Sequence, residues 1–285
     1  MQEIKMNFLE EAEMLKARTH KKIFSFGIIS LFIIITVLII SFISERFNLG
    51  NGDFDKLAAP NISHIFGTDS MGRDMFIRTI VGFRNTFLLA LVSQVIPFVA
   101  GAVLGSFLAY FGGIFDEISY HIFNIVLAFP MILGAIFLSV LFGSGIGVIL
   151  IVISIFGTVY NTKIVRAEIS QVKNEEFILA LKINKISNIR IFIYHILPRA
   201  FFVLLPLFPL IVGHSMIGIS SYSFIGLGMN ISTPELGAIL KDSLRFISRA
   251  PWLIIIPGIF QFVCVLVFSL YSAELEEKLT LHREI

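Results

Sequence analysis

Five polar side chains lie inside long apolar stretches of the sequence, where they could contact a substrate or relay protons. They are Gln94, His121, Asn124, His214 and Gln261. Uncompensated polar groups are costly at membrane depth, so such residues mark either a transport path or a hydrogen bond between helices. We take His214, Asn124 and Gln261 as candidate path-lining residues. An interhelical hydrogen bond is the more common role and stays the alternative for each.

Several kinds of chemistry are excluded by what the sequence lacks. The histidines have neither HxxxH nor HExxH spacing, and Cys264 is the single cysteine, so we expect no metal site and no intrachain disulfide. There is no GxxxxGK[ST] loop for hydrolysing ATP. His214-Ser215 is the nearest approach to a catalytic pair and lacks a supporting motif. The sequence therefore predicts a protein that is not an enzyme, with an intramembrane enzyme as a remote alternative.

The composition is that of a membrane protein. Of 285 residues, 56% are apolar and only 15% are charged, whereas soluble domains carry about 25% charged residues. Six apolar runs are long enough to cross about 30 Å of hydrocarbon as helices, at 23–43, 86–111, 119–142, 148–165, 200–220 and 252–271. None of them contains Asp or Glu, which argues against an ion channel or proton carrier. The predicted fold is an all-α polytopic membrane protein with six transmembrane helices.

Six spans place both termini on one side of the membrane. Basic residues favour the cytoplasm for that side, since 1–22 and 163–199 together carry twelve Lys and Arg against eight in 44–85 and 221–251. The organisation that follows is a cytoplasmic segment 1–22, a first span 23–43, an extracytoplasmic segment 44–85, a core 86–272 and a cytoplasmic tail 273–285. A net charge of +2 gives no reason to expect a nucleic-acid partner.

A long polar segment, 167–199, interrupts the apolar runs in the second half of the chain. Its charged residues recur at helical intervals with apolar residues between them: Glu175, Glu176, Lys182, Lys185 and Arg190. This pattern predicts one or two short amphipathic helices at the membrane surface. The functional hypothesis is that force from a soluble partner enters the membrane protein here, and the alternative is a merely solvated helix face.

Two local features predict how the spans pack. Gly101, Gly105 and Ala109 fall on one helical face, where a neighbouring helix can approach closely. Pro130 interrupts the third run and predicts a kink. Proline at 206 and 209 predicts a distorted fifth span.

Several short motifs resemble those of one family. Residues 67–74, GTDSMGRD, are similar to the GTDxxGRD signature of the inner-membrane permeases of the peptide/nickel class of binding-protein-dependent ABC importers. Further similar segments follow in family order: GSFLAYFGGIFD at 105–116, YNTKIVRAE at 160–168, HILPRA at 195–200 and YSFIGLGMNISTPELGAI at 222–239. The resemblance covers about residues 20–275.

The resemblance implies a type I ABC importer fold in the plasma membrane of a bacterium. It implies a homologous second permease, two cytoplasmic ATPase subunits that hold ATP and Mg, and an extracytoplasmic substrate-binding protein. This chain itself would bind no cofactor. The substrate class implied is a peptide first and nickel or a metal chelate second.

The polar segment corresponds to the family's cytoplasmic EAA loop, which docks onto the ATPase. The residues implied in coupling are Glu175, Glu176, Phe177, Ala180, Leu181, Lys182, Asn184 and Lys185. Lys185 departs from the family pattern because glycine is expected there, at the end of a short helix. Glycine favours the left-handed conformation that ends many helices, and lysine tolerates it poorly, although the preceding Asn184 can adopt it. Arg73 and Asp74, at the end of GTDSMGRD, are expected to form a turn that orients the second span, with contact to the binding protein as the alternative.

Overall fold

The structure is a computed structural model that describes residues 36–43, 54–228 and 234–281, and these fold almost entirely as helices. The helices are α1 Met75–Phe111, α2 Ile114–Ala128, α3 Met131–Phe142, α4 Ile146–Val172 and α5 Glu176–Ile183. Next, α6 is a continuous run of Asn188–Ile191, a π-helical turn Phe192–Ile196 and Leu197–Leu204. The last are α7 Phe208–Ile225, α8 Leu236–Ser243 and α9 Trp252–Leu281. Residues 36–43 are also helical, whereas segment 1–22 and most of the predicted first span lie outside the described residues.

Four of these helices, α1, α4, α7 and α9, are long and apolar enough to cross a membrane. A fifth crossing is possible if α2 and α3 count as one broken span, since they are bent by 85° relative to each other. The bend lies at Phe129-Pro130, where Phe129 is extended, as residues before proline tend to be. The predicted kink is confirmed.

Several helix ends differ from those expected from the apolar runs. Helix α1 begins at Met75 and α9 runs to Leu281, so residues 75–85 and most of the tail 273–285 are helical. The expected fifth span, 200–220, is instead divided at residues 205–207, next to Pro206, and Pro209 lies in the first turn of α7. An apolar run marks only the part of a helix suited to lipid, so it underestimates helices that continue into polar surroundings.

Helices α1 and α4 pack against each other along the predicted small-residue face. A Cβ atom added at Gly101 would lie 2.5 Å from the Asn161 Cβ, and one at Gly105 would lie 2.7 Å from the Thr162 carbonyl oxygen. Ala109 is buried one helical turn further along. The expectation of a close helix neighbour is therefore confirmed, and α4 is that neighbour.

Among the described residues, two of the apolar clusters pack the helices at different levels of α1. One contains Phe83, Met216 and Leu236 and joins α1, α7 and α8. The other contains Ile169, Ile178 and Ile196 and joins α4, α5 and α6 at the opposite end of α1. The second cluster lies directly beneath the predicted coupling segment and positions it.

Candidate functional site

The segment between α4 and α6 is attached to the rest of the protein through very few side chains. Within α5 only Ile178 is fully buried, at 0% exposure, and it packs in the cluster with Ile169 and Ile191. Leu181 and Ile186 are partly buried against the same cluster. The predicted short helices are present, and α5 is amphipathic in the sense that one side packs on the bundle.

The other side of α5 faces outward and is apolar as well as charged. Phe177 and Leu179 are each 45% exposed and Ile183 is 80% exposed. Of the eight residues implied in coupling, Leu181 is half-buried and the other seven are exposed: Glu175, Glu176, Phe177, Ala180, Lys182, Asn184 and Lys185. We call this exposed side of α5 the outer face. Exposed apolar groups bordered by charges are typical of a surface that binds another protein.

Helix α5 ends in a Schellman motif centred on Lys185. The Ile186 N–H donates to the Leu181 carbonyl at 3.2 Å and the Lys185 N–H donates to the Lys182 carbonyl at 2.9 Å, which is the paired bonding of this motif. Lys185 has φ +58°, whereas Asn184 has φ −75°. The left-handed conformation thus falls on Lys185 and not on Asn184, and both Leu181 and Ile186, which make this turn, pack against the apolar cluster.

Replacing Lys185 with glycine should stabilise the end of α5. Left-handed backbone costs a residue with a Cβ about 1 kcal/mol, and glycine would remove that cost. We expect slower hydrogen exchange at the backbone N–H groups of residues 185 and 186, which donate to the Lys182 and Leu181 carbonyls. Asn184→Gly is the matched control and should speed exchange, because a right-handed position gains nothing from glycine. Unchanged or faster exchange in Lys185→Gly would contradict the left-handed conformation of residue 185.

Polar contacts tie the ends of the segment to the neighbouring helices. The Lys173 ammonium donates to the Ala109 carbonyl of α1 at 2.9 Å. The Arg166 guanidinium of α4 binds the Asp116 carboxylate of α2 through two hydrogen bonds of 2.5 and 2.8 Å. Lys182 lies over the Tyr110 ring of α1, 5.5 Å from its centroid. A displacement of α5 would therefore reach α1, α2 and α4 together.

The three candidate path-lining residues are not brought together. His214 is exposed and lines a cavity of about 350 Å³ with Gln94 and Ser215. Asn124 accepts a hydrogen bond from the Lys163 ammonium at 2.8 Å. Gln261 is buried, donates to the Met216 carbonyl at 3.3 Å and borders a separate groove between α7 and α9. Asn124 and Gln261 thus make hydrogen bonds between helices, which is the alternative to lining a transport path.

The GTDSMGRD motif forms a tight turn at the start of α1. Asp69 Oδ1 accepts from the backbone N–H groups of Met71 and Arg73 at 2.8 and 2.9 Å, and Asp69 Oδ2 pairs with the Arg73 guanidinium at 2.7 Å. Asp74 caps α1 by accepting from the Phe76 and Ile77 N–H groups. The other Asp74 oxygen lies 2.7 Å from His64 Nδ1. The geometry is that of the structural turn expected from the sequence.

A small charged cavity of about 140 Å³ lies between this turn and the end of α8. Asp69, Arg73 and Arg78 line one side, and Asp242 and Arg245 line the other. Burial raises the pKa of the Asp242 carboxyl above its usual value, while the nearby Arg78 and Arg73 act in the opposite direction. Opposite charges on the turn and on α8 thus face each other across the cavity.

One buried acid was missed in the sequence. Glu235 has 0% exposure and caps α8, and its carboxylate accepts from the Gly237 and Ala238 N–H groups at 3.0 and 3.1 Å. It also accepts from the Ser220 hydroxyl at 3.3 Å. The Thr86 hydroxyl lies 3.1 Å from the same carboxylate oxygen and 2.9 Å from the Gly82 carbonyl of its own helix. Its local signal in the sequence is an acidic residue immediately before a short apolar helix, and it lies outside the six apolar runs.

The chain matches a known family over most of its helical core. The family described as "Binding-protein-dependent transport system inner membrane component" matches residues 101–280. The chain is 33% identical over 225 residues to the dipeptide transport system permease protein DppC of Alkalihalophilus pseudofirmus, covering 79% of this chain and 74% of that protein. It is 31% identical over 264 residues to the oligopeptide transport system permease protein OppC of Bacillus subtilis, covering 90% and 83%. It is 32% identical over 228 residues to the glutathione transport system permease protein GsiD of Escherichia coli, covering 80% and 75%.

These matches agree with the resemblance carried by the short motifs, and the family match includes the whole α4–α6 segment. The chain therefore belongs to the inner-membrane permeases of binding-protein-dependent transport systems, in the peptide class of ABC importers.

Proposed function

We propose that this chain is one of two non-identical permease subunits of an ATP-driven importer, and that together they form the path by which peptides cross the membrane. The relatives named above are permeases of dipeptide, oligopeptide and glutathione systems, which supports peptides as the substrate class. Nickel, the second substrate class expected from the sequence, has no support from these relatives and is not proposed.

The observation that carries the coupling role is the architecture of α5. A helix held by one fully buried residue, Ile178, presents an apolar and charged outer face. We propose that this outer face binds in a groove on a cytoplasmic ATPase subunit, which holds ATP and Mg. In this arrangement six spans place both termini in the cytoplasm, and an extracytoplasmic binding protein delivers the peptide to the other side.

The polar ties of the segment support a rigid transfer of motion. When the ATPases close on ATP, α5 would move with them, and the contacts of Lys173 with Ala109 and of Arg166 with Asp116 would carry α1, α2 and α4 along. The path would then open alternately to the two sides of the membrane. The permease contributes positioning and movement to this cycle, and the ATPases contribute the chemistry.

Introducing a charge at the centre of the outer face tests the docking role. Ala180→Glu keeps a good helix former, so α5 should stay folded while the ATPase contact is broken. We expect retention of the ATPases on the affinity-purified permease to fall at least tenfold, or about 1.4 kcal/mol, and peptide uptake to fall with it.

The matched control is Gln171→Glu, which adds the same charge at an exposed position of α4, off the outer face. It should retain the ATPases and support uptake. Undiminished ATPase retention and peptide-stimulated turnover in Ala180→Glu would remove α5 from this role. An assembled wild-type complex that imports no peptide would refute the substrate proposal.

A further inference from the structure

Arg78 is a buried cation that lines the charged cavity between the GTDSMGRD turn and the end of α8. It lies in the first turn of α1 and is 7% exposed. Its Nε lies 3.3 Å from Asp69 Oδ2 but makes no hydrogen bond. This Nε is fully enclosed, whereas the two terminal guanidinium nitrogens are neither enclosed nor hydrogen-bonded within the described residues. We infer that these two nitrogens face the cavity.

The turn does not need Arg78 to hold its shape. The Asp69 carboxylate already accepts from the backbone N–H groups of Met71 and Arg73 and from the Arg73 guanidinium. A buried cation without a hydrogen-bond acceptor is destabilising. Stabilisation of the turn alone therefore does not explain an arginine at position 78.

The cavity has one positive charge in excess. It is lined by three arginines, Arg73, Arg78 and Arg245, and by two acids, Asp69 and Asp242. Asp69 is engaged by the turn, and within the part of the chain that the structure describes no salt bridge joins Asp242 to any of the three arginines. The guanidinium groups of Arg78 and Arg245 are therefore available to an added anion.

The size and surroundings of the cavity fit one acidic side chain of a docked protein. Its volume is about 140 Å³, close to the roughly 150 Å³ that holds one benzene molecule, so a whole dipeptide would not fit. Its lining shares no residue with the cavity beside His214 or with the groove between α7 and α9. Met71 at its edge and Leu244 beside Arg245 are 56% and 48% exposed. Exposed apolar groups around a charged pocket are typical of a surface that binds another protein.

We propose that this cavity receives the carboxylate of an Asp or Glu side chain of the extracytoplasmic substrate-binding protein, held by Arg78 and Arg245. The inference rests on the proposed function, in which α5 is cytoplasmic and the opposite end of α1, where the cavity lies, faces outward. Guanidinium groups bind carboxylates through charge-assisted hydrogen bonds. Asp242 repels the incoming carboxylate, which weakens the contact and allows the binding protein to leave.

The test measures the Kd of the purified, peptide-loaded binding protein for the assembled importer in nanodiscs, by biolayer interferometry at fixed salt. Arg78→Met removes the guanidinium and keeps an unbranched side chain. We expect Kd to rise at least about tenfold, because the carboxylate would enter the cavity without its partner. Asp242→Asn should instead lower Kd by about threefold or more, because it removes a like charge that opposes the carboxylate.

The opposite directions of these two changes separate docking from a structural role. If Arg78 only supported the turn, Arg78→Met would lower the melting temperature of the importer and Asp242→Asn would not tighten binding, and that result would overturn the inference. Arg249→Met is the matched control, since Arg249 is an exposed cation that follows α8 and does not line the cavity. It should leave Kd close to the wild-type value.

Double-mutant cycles identify the acidic residue that enters the cavity. Each exposed Asp or Glu of the binding protein is changed to Asn or Gln and measured against wild-type and Arg78→Met importer. One of these changes should raise Kd for the wild-type importer and have little effect with Arg78→Met. If no acidic residue is coupled to Arg78 in this way, the inference is wrong.

A radiolabelled dipeptide, added without the binding protein, tests whether the carboxylate comes from the substrate itself. If its binding to the importer requires Arg78, and amidation of its C terminus removes that requirement, the cavity recognises the peptide and the inference is overturned. An importer that takes up dipeptide, with a Kd for its binding protein that ignores Arg78→Met, overturns the inference alone. A wild-type complex that assembles but imports no peptide overturns the proposed function and the inference with it.

Discussion

Gly105→Val is expected to destabilise the folded permease and, with it, the importer complex. A Cβ at this position would lie 2.7 Å from the Thr162 carbonyl oxygen and 2.8 Å from the Val165 Cβ, so backbone would have to move before a branched side chain could fit. Forced overpacking of this kind costs about 3 kcal/mol or more. The α1–α4 contact supports the cluster beneath α5, so we expect a large fall in the melting temperature of the purified permease and in the yield of the importer complex.

Gly258→Val provides the control for this substitution. Gly258 lies within helix α9, and a Cβ there meets nothing within 4 Å. The same change should therefore leave the melting temperature and the complex yield close to wild type. Equal behaviour of the two variants would show that α4 does not approach α1 as closely as described.

Glu235→Ala should release α8 from the bundle. The substitution leaves the buried N–H groups of Gly237 and Ala238, and the hydroxyl of Ser220, without their acceptor. Each buried donor left unpaired costs about 1–3 kcal/mol. We expect a loss of about 3 kcal/mol or more, seen as a lower melting temperature and faster hydrogen exchange at residues 237 and 238.

The comparison for this prediction is Glu176→Ala, which removes an exposed acid from the first turn of another short helix. It should change the stability of the isolated permease by less than about 0.5 kcal/mol. If Glu235→Ala unfolds at the wild-type temperature, the carboxylate does not hold α8 to α1 and α7.

The features that the sequence predicted well are those set by neighbours along the chain. Gly101 and Gly105 share a face through helical spacing alone, and the bend at Pro130 follows from the geometry of proline and the residue before it. The two short helices around residue 185 follow from the alternation of charged and apolar residues. Each of these required only local rules of backbone and side-chain direction.

The features that the sequence did not reveal depend on distant partners. Glu235 contacts Thr86, which lies 149 positions earlier in the chain, and no local sequence pattern predicts that contact. Intrinsic preference favours Asn184 over Lys185 for the left-handed position at the end of α5, but the structure has it at Lys185, between Leu181 and Ile186, which pack against the apolar cluster.

The length of helix α1 allows a small tilt at one end to become a large displacement at the other. Its 37 residues, with Pro97 inside the helix, correspond to a length of about 55 Å at 1.5 Å per residue, with the Asp69 turn at one end and the Lys173 contact at the other. A tilt of about 5° around one end of a rod of this length shifts the other by about 5 Å, roughly one helical turn. A change in tilt too small to disturb side-chain packing at the Asp69 turn would therefore displace the Lys173 contact by about the rise of one helical turn.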